Sequence, residues 1–270
     1  MPKANITGID LHYQVHGKGI PLVLIQGFGG GHRGWFFQTH AFKKCFRVIT
    51  FDDEDIWQSD KSPKPVTIRD RAGNVVSLMN HLHIERAHVL GVSRAGMIAQ
   101  QIAINYPERV RKLVLACTAA SGRDMSDAHP EMMDVLIAKK LPDFDISSID
   151  FARTIETMIS LSFNRRLYRN TLLILAKIAF SLAKVKARPE HLESLEAMMS
   201  YSAVDSLHLI KSPTLVITGD SDRMIPPRCS DVLAEKIPKA KLVKVQGGSH
   251  AFFIEMRDVF NREVLRFLRD

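Results

Sequence analysis

A serine hydroxyl, an imidazole and a carboxylate working together can open a carbonyl bond, and this chain carries one of each in matching surroundings. Ser93 lies in "HVLGVSRAGMIAQQIA", residues 88–103, where an apolar run ends at a serine and helical periodicity begins at once. Its neighbours Gly91, Ala95 and Gly96 add little side-chain bulk. A serine on so sharp a strand-to-helix turn exposes its hydroxyl, and the N–H groups opening the helix face any negative charge that develops beside it. A serine at a helix start is also an ordinary N-cap, so the position alone leaves both readings open.

The hydroxyl needs a base, and the base needs an acid that fixes its tautomer. Asp222 sits in "GDSDRMIPP", after the run "TLVITGD", and His250 sits in "GGSHAFF", after "KLVKVQ". Of the 11 histidines, His250 is the one that follows a strand-like run and a glycine pair and precedes an apolar helix. Each loop alone fits turn or cap chemistry. Their order along the chain, Ser, Asp, His, with each residue just past a strand, points to a triad of nucleophile, acid and base. Asp220, at the strand terminus, is the second candidate for the acid.

Residues so far apart in the chain must be gathered by strand ends. Short apolar runs rich in β-branched residues recur at "IPLVLIQG", "FRVITFD", "AHVLGVS", "RKLVLACT", "TLVITGD" and "KLVKVQG", which marks buried strands. Amphipathic segments such as "TIRDRAGNVVSLMNHL" lie between several of them and serve as crossover helices. "ANITGIDLHYQVHGKG" reads as an antiparallel hairpin. From 122 to 208 no strand-like run separates the helical stretches "EMMDVLIAKKL", "FARTIETMISLSF" and "LLILAKIAFSLAKV". The expected fold is α/β, a mostly parallel central sheet with helices on both faces. Residues 1–121 and 209–270 form its core, and residues 122–208 form an inserted helical cap.

On these motifs the chain resembles the α/β-hydrolase superfamily, in its capped esterase, lactonase and cofactor-free haloperoxidase-like branch. The loop "QGFGGGHRGW" is similar to the family's His-Gly-Phe oxyanion loop, with Gln26 in place of the histidine. "YPERVRKLVLACT" resembles the stretch after the nucleophile helix, and "GDSDRMIPP" and "GGSH" resemble the acid and base loops. The resemblance implies Ser93 as nucleophile, Asp222 as acid, His250 as base and the backbone N–H groups of Phe28 and Arg94 as the oxyanion hole. It implies neither a metal nor an organic cofactor.

Besides Gln26, the chain departs from that pattern in two places. Ala95 stands where the family has a glycine two residues past the nucleophile. "FDDEDIWQSDKS" occupies the place of the family's Asp-x-Arg-Gly-x-Gly-x-Ser loop, so that Glu54, Asp55 and Trp57 replace the arginine and both glycines. This changes charge and allowed backbone angles together. Gln26 and Trp57 are therefore expected at the pocket rim. Four acids in a row, Asp52 to Asp55, lack the alternating ligands and glycine turn of a calcium loop, so no metal is expected. The Arg94 side chain either lies outward or pairs with a carboxylate, the reading favoured by the usual solvation of long cations, or faces the pocket and selects an anionic acyl group.

A chain of 270 residues with 46% apolar composition can bury one large core. The formal charge of +8 is dispersed and no nucleic-acid module accompanies it; "NRRLYRN", 164–170, is the nearest thing to a basic patch. No apolar run approaches the roughly 18 residues of a membrane span and no leader pattern opens the chain. Cys45, Cys117 and Cys229 are odd in number and scattered, unlike a disulfide framework. The expectation is a cytoplasmic serine esterase or lactonase acting on a small molecule, with no nucleic-acid or membrane partner and an undetermined oligomeric state. A perhydrolase, a C–C bond hydrolase on the same triad and a ligand-binding member without turnover are the alternatives.

Overall fold

The computed structural model describes residues 2–54, 58–62, 65–126, 145, 150–183 and 189–270. Eight strands form one sheet in the order β1-β2-β4-β3-β5-β6-β7-β8. β1 (Lys3–Ile6) and β2 (Ile9–His16) make the N-terminal hairpin, with Ile6 opposite Ile9. β2 also runs antiparallel to β4 (Phe46–Phe51). β3 (Ile20–Ile25), β5 (Ala87–Val92), β6 (Val110–Ala116), β7 (Thr214–Gly219) and β8 (Ala240–Val245) continue from β4 in parallel. The six apolar runs of the sequence are the six parallel strands.

β5 and β7 are buried along their whole length, as expected for strands covered on both faces. One face carries the larger core cluster, in which Val23, Ile25, Val89, Leu113 and Val216 meet α2 (Ile68–His81) and α3 (Arg94–Asn105). The other carries Leu22, Leu24, Val114, Leu215 and Ile217 against Trp35, α1 (Phe36–Phe42) and the C-terminal helix. α2 starts at a reciprocal capping box in which the Thr67 hydroxyl accepts from Asp70 N–H and the Asp70 carboxylate accepts from Thr67 N–H. That motif satisfies two N–H groups that the helix leaves open.

Between β6 and β7 the chain leaves the sheet. An antiparallel bridge pairs Ser121 with Ser202, flanked by backbone bonds from Ala203 N–H to Ala120 O and from Gly122 N–H to Tyr201 O, so the departing and returning chains meet at one neck. Most of the described residues beyond that neck are helical, in a short turn Arg123–Ser126 and in α4 (Phe151–Ser162), α5 (Arg166–Ala183) and α6 (Pro189–Met199). "EMMDVLIAKKL" lies outside the described residues. α7 (Arg228–Lys236) links β7 to β8, and a short α8 (Phe252–Glu255) leads into α9 (Arg257–Arg269), whose Phe260, Val264 and Leu268 are buried. Among the described residues no helix is long and apolar enough to cross a membrane.

Candidate active site

Parallel strands leave their carboxyl ends along one edge of the sheet, where following loops can converge. Ser93 directly follows β5 and is the cap residue of α3, with φ 57° and ψ −129°. A non-glycine residue in that region stores about 1–3 kcal/mol of strain that its surroundings must hold. Ser93 N–H donates to Ala116 O at 2.9 Å, and Ser93 O accepts from Gly96 N–H at 2.8 Å. The side chain makes no capping bond, which sets it apart from an ordinary N-cap serine. A Cβ on Gly91 would lie 2.2 Å from Ala95 O, and one on Gly96 would lie 2.5 Å from Thr118. Both positions need glycine for close packing, while Ala95 fits at zero exposure.

Asp222 and His250 are brought together. His250 Nδ1 lies 2.8 Å from Asp222 Oδ2, and Asp222 Oδ1 accepts from Met224 N–H at 2.8 Å and Ile225 N–H at 2.9 Å. The acid is therefore held by three donors and buried. Nδ1 donates to the carboxylate, which leaves Nε2 as the basic nitrogen. Among the described residues no hydrogen bond joins Ser93 Oγ to His250; such bonds often tighten only when substrate binds. Asp220 faces elsewhere. Its Oδ1 accepts from Ser221 Oγ at 2.9 Å and from Gly247 N–H at 2.8 Å, bracing the turn that precedes His250.

Phe28 occupies the second position of a turn closed by Gly30 N–H to Gly27 O at 3.1 Å, with Gly29 at φ 68° in its third position. Glycine supplies that angle without steric cost. A Cβ on Gly27 would come within 3.1 Å of Ser93 Cβ, so the loop after β3 passes against the serine. Gln26 folds into this loop. Its Oε1 accepts from Gly27 N–H at 2.9 Å, its Cγ would lie 2.3 Å from a Cβ on Gly30, and its Nε2 would lie 2.3 Å from a Cβ on Gly34. Trp57 lies outside the described residues.

Arg94 opens α3, so its backbone N–H belongs to the first turn, where no helix carbonyl is available. Its side chain is 1% exposed. Nη2 lies 3.0 Å from Asp53 Oδ2, Nη1 donates to Ser194 Oγ of α6 at 2.6 Å, and the guanidinium carbon stands 5.8 Å from the centre of the Phe28 ring. The carboxylate pairing matches one sequence reading, yet the head group is dry where solvation was expected. Arg71 also reaches Asp53 Oδ2, at 2.7 Å, and two cations on one carboxylate make the burial tolerable.

Asp52 and Glu54, the other described acids of the loop, are engaged as well. Asp52 Oδ1 takes both the backbone N–H and Nδ1 of His32 at 2.8 Å, and Oδ2 lies 3.3 Å from His12 Nδ1. Burial lowers the His12 pKa, a shift that Asp52 opposes. Glu54 Oε1 accepts from Asn74 Nδ2 at 2.7 Å. The ligand-type atoms of His12, His32 and Asp52 lie within 4.8 Å of one another, a grouping that could hold a cation.

Two neighbours of the candidate triad escaped the sequence reading. Cys117, at φ 48° just past β6, brings its sulfur within 4.8 Å of the Asp222 and His250 donor atoms. Burial, and then the Asp222 charge, raise its thiol pKa well above the ordinary range, so it stays protonated beside the carboxylate. Glu255 is buried and accepts from Asn164 and Arg165 N–H, the latter at 2.6 Å, and from the Ser249 hydroxyl. It joins the start of α5 to the residue before His250. Its signal in the sequence is an acid inside the apolar stretch "AFFIEM".

The sequence pattern of the alpha/beta hydrolase fold family matches residues 20–256. The chain is 28% identical over 267 residues to "Putative carbamate hydrolase RutD" of Azorhizobium caulinodans, covering 99% of this chain and 98% of the relative. It is 29% identical to a poly(3-hydroxyalkanoate) depolymerase of Ectopseudomonas oleovorans, over 92% of this chain and 84% of the relative. Among solved structures, a thermophilic esterase from Thermogutta terrifontis superposes with a TM-score of 0.81 at 25% identity, over 99% of this chain and 97% of the other. With the eight-stranded sheet and its helices, the match over residues 20–256 establishes that the chain belongs to the α/β-hydrolase fold family.

Proposed function

We propose that the chain is a serine hydrolase that cleaves small carboxylic esters or lactones through an acyl-enzyme. The observation that carries this reading is the 2.8 Å contact between His250 and Asp222 on the sheet edge that also ends in the strained Ser93. His250 Nε2 takes the Ser93 hydroxyl proton as Oγ attacks the substrate carbonyl carbon. The carbonyl oxygen becomes an oxyanion, received by the N–H groups of Phe28 and Arg94. His250 returns the proton to the leaving oxygen, which departs as an alcohol and leaves the acyl group on Ser93. Water, deprotonated by His250, attacks the acyl carbon and releases the acid, restoring Ser93.

The helices between residues 122 and 208 act in this reading as a cap, with Trp57 contributing to the rim and Gln26 shaping the oxyanion loop from behind. The cap sets the substrate, and none of these assignments calls for a cofactor. The RutD relative adds a second reading, in which the same attack falls on a carbamate carbonyl. A panel of esters of graded acyl length, lactones and carbamates distinguishes the two. Preferred turnover of esters or lactones that disappears in Ser93→Ala supports the proposal, and turnover confined to carbamates replaces it with the second reading. Turnover that persists in Ser93→Ala overturns both.

A further inference from the structure

The residue after the nucleophile contributes two separate things. Any side chain but proline's leaves the backbone N–H of residue 94 in place, so the oxyanion donor does not explain an arginine there. The side chain has its own connections, and they run in three directions. Nη2 meets Asp53 of the loop after β4, Nη1 meets Ser194 of α6, and the guanidinium stands beside the Phe28 ring of the loop after β3.

These directions correspond to the parts that must be fixed relative to one another. Phe28 and Arg94 supply the proposed oxyanion donors. Ser194 belongs to the helical block over residues 122–208, and Asp53 anchors the cation to the sheet edge. Asp53 is itself fixed by Arg71 of α2 at 2.7 Å, which also reaches Glu54 O at 3.4 Å. A guanidinium is planar, permanently charged and forked, so it can hold a carboxylate and a hydroxyl at once. With Ser194 8% exposed and Arg94 1% exposed, water competes little for either bond.

We propose that the Arg94 side chain is a positioning residue that ties α6 of the cap to the oxyanion hole, so that cap placement and nucleophile reactivity are coupled through one guanidinium. The inference rests on the reading of Ser93 as nucleophile. Arg94 touches no reacting atom in this role. It differs from an anion-selecting pocket arginine, because its charge is already paired with the Asp53 carboxylate and its Nη1 is given to Ser194.

The test is the rate at which fluorophosphonates label Ser93, using a short-chain and a long-chain probe. The short probe reports the oxyanion hole and the long-to-short ratio reports the cap. Arg94→Met is expected to slow the short probe about tenfold, the scale of a small misplacement at a reacting centre, and to shift the ratio. Arg94→Lys keeps the charge at Asp53 and loses the fork, so it should restore the short-probe rate while the ratio stays shifted. Ser194→Ala should shift the ratio by a similar factor, and adding it to Arg94→Lys should change nothing further, because both break the same link.

Additive ratio shifts in Arg94→Lys/Ser194→Ala, or a wild-type ratio in both single variants, overturn the inference. So does a loss of thermal stability in these variants with wild-type labelling. If Arg94→Met does not fold, the lysine and Ser194→Ala variants decide the matter by the same additivity criterion. A wild-type chain that does not label at Ser93 contradicts the reading of the nucleophile itself, and is recognised before any variant is compared.

Discussion

Asp222 presents one carboxylate oxygen to His250 and gives the other to two backbone N–H groups, whereas Asp220, two residues earlier, presents its carboxylate to Gly247 and Ser221. The two acids therefore separate in a single comparison. Asp222→Asn offers His250 an amide that favours the wrong tautomer, and steady-state turnover is expected to fall by about two to four orders of magnitude. Asp220→Asn keeps an oxygen that can still accept from Gly247, so its loss should stay under about tenfold. The reverse ranking would reassign the acid.

Glu255 holds the His250 loop to the start of α5 through the Asn164 and Arg165 amides and the Ser249 hydroxyl. Glu255→Gln removes a charged acceptor from three donors at once, and charged hydrogen bonds are worth about 1.5–3 kcal/mol each. Turnover should drop, and hydrogen exchange at residues 164–165 and 249–250 should accelerate together. Faster exchange at only one of the two segments would show that they are not linked through this carboxylate.

His88 on β5 is 3% exposed, packs edge-on against Phe46, and has no hydrogen-bond partner for either ring nitrogen among the described residues. Burial, with smaller contributions from Lys112, Arg111 and Arg86, lowers its pKa from 6.5 to about 4. The folded state thus binds this proton less readily than the unfolded state. Stability is complete above pH 6.5 and is lost as the pH falls from 6.5 toward about 4, by up to ~3 kcal/mol for such a shift. Urea unfolding across this range should show a shallower pH slope in His88→Leu. An unchanged slope would assign the acid sensitivity elsewhere, His12 being the other histidine whose pKa burial lowers.

Asp52 is wholly buried between His12 and His32. Asp52→Asn replaces a buried acceptor of the His32 backbone N–H and ring by an amide, and should lower stability by about 1–3 kcal/mol. Turnover should survive a chelator such as EDTA, because nucleophile, base and oxyanion donors are all supplied by Ser93, His250, Phe28 and Arg94 in the proposed mechanism. Activity lost to the chelator and restored by a divalent ion would contradict this and point to a bound metal, with His12, His32 and Asp52 or Cys117, Asp222 and His250 as the ligand groups to be tested.

The strands were legible because buried parallel strands are continuous apolar runs, and the candidate triad was legible because each member follows such a run in a short loop. Ser93, Asp222 and His250 could be singled out without knowing any contact. The partners around them could not. Arg94, Asp53 and Ser194 meet across three elements, and nothing local in "FDDEDIW" shows that Asp53 turns inward to two arginines while Asp52 turns to two histidines. Gln26 stood out as a substitution in the loop after β3, but its inward fold depends on Gly30 and Gly34 leaving room for it. Cys117 reads in sequence as one more apolar residue at a strand end, and only the sheet order sets it beside Asp222.

The most direct test of the account is mass-spectrometric mapping of a fluorophosphonate adduct on the intact chain and on Ser93→Ala. The account expects one adduct per chain, on the peptide containing Ser93, and none in the variant at equal folded concentration. An adduct on another residue, or labelling that persists in Ser93→Ala, would contradict it.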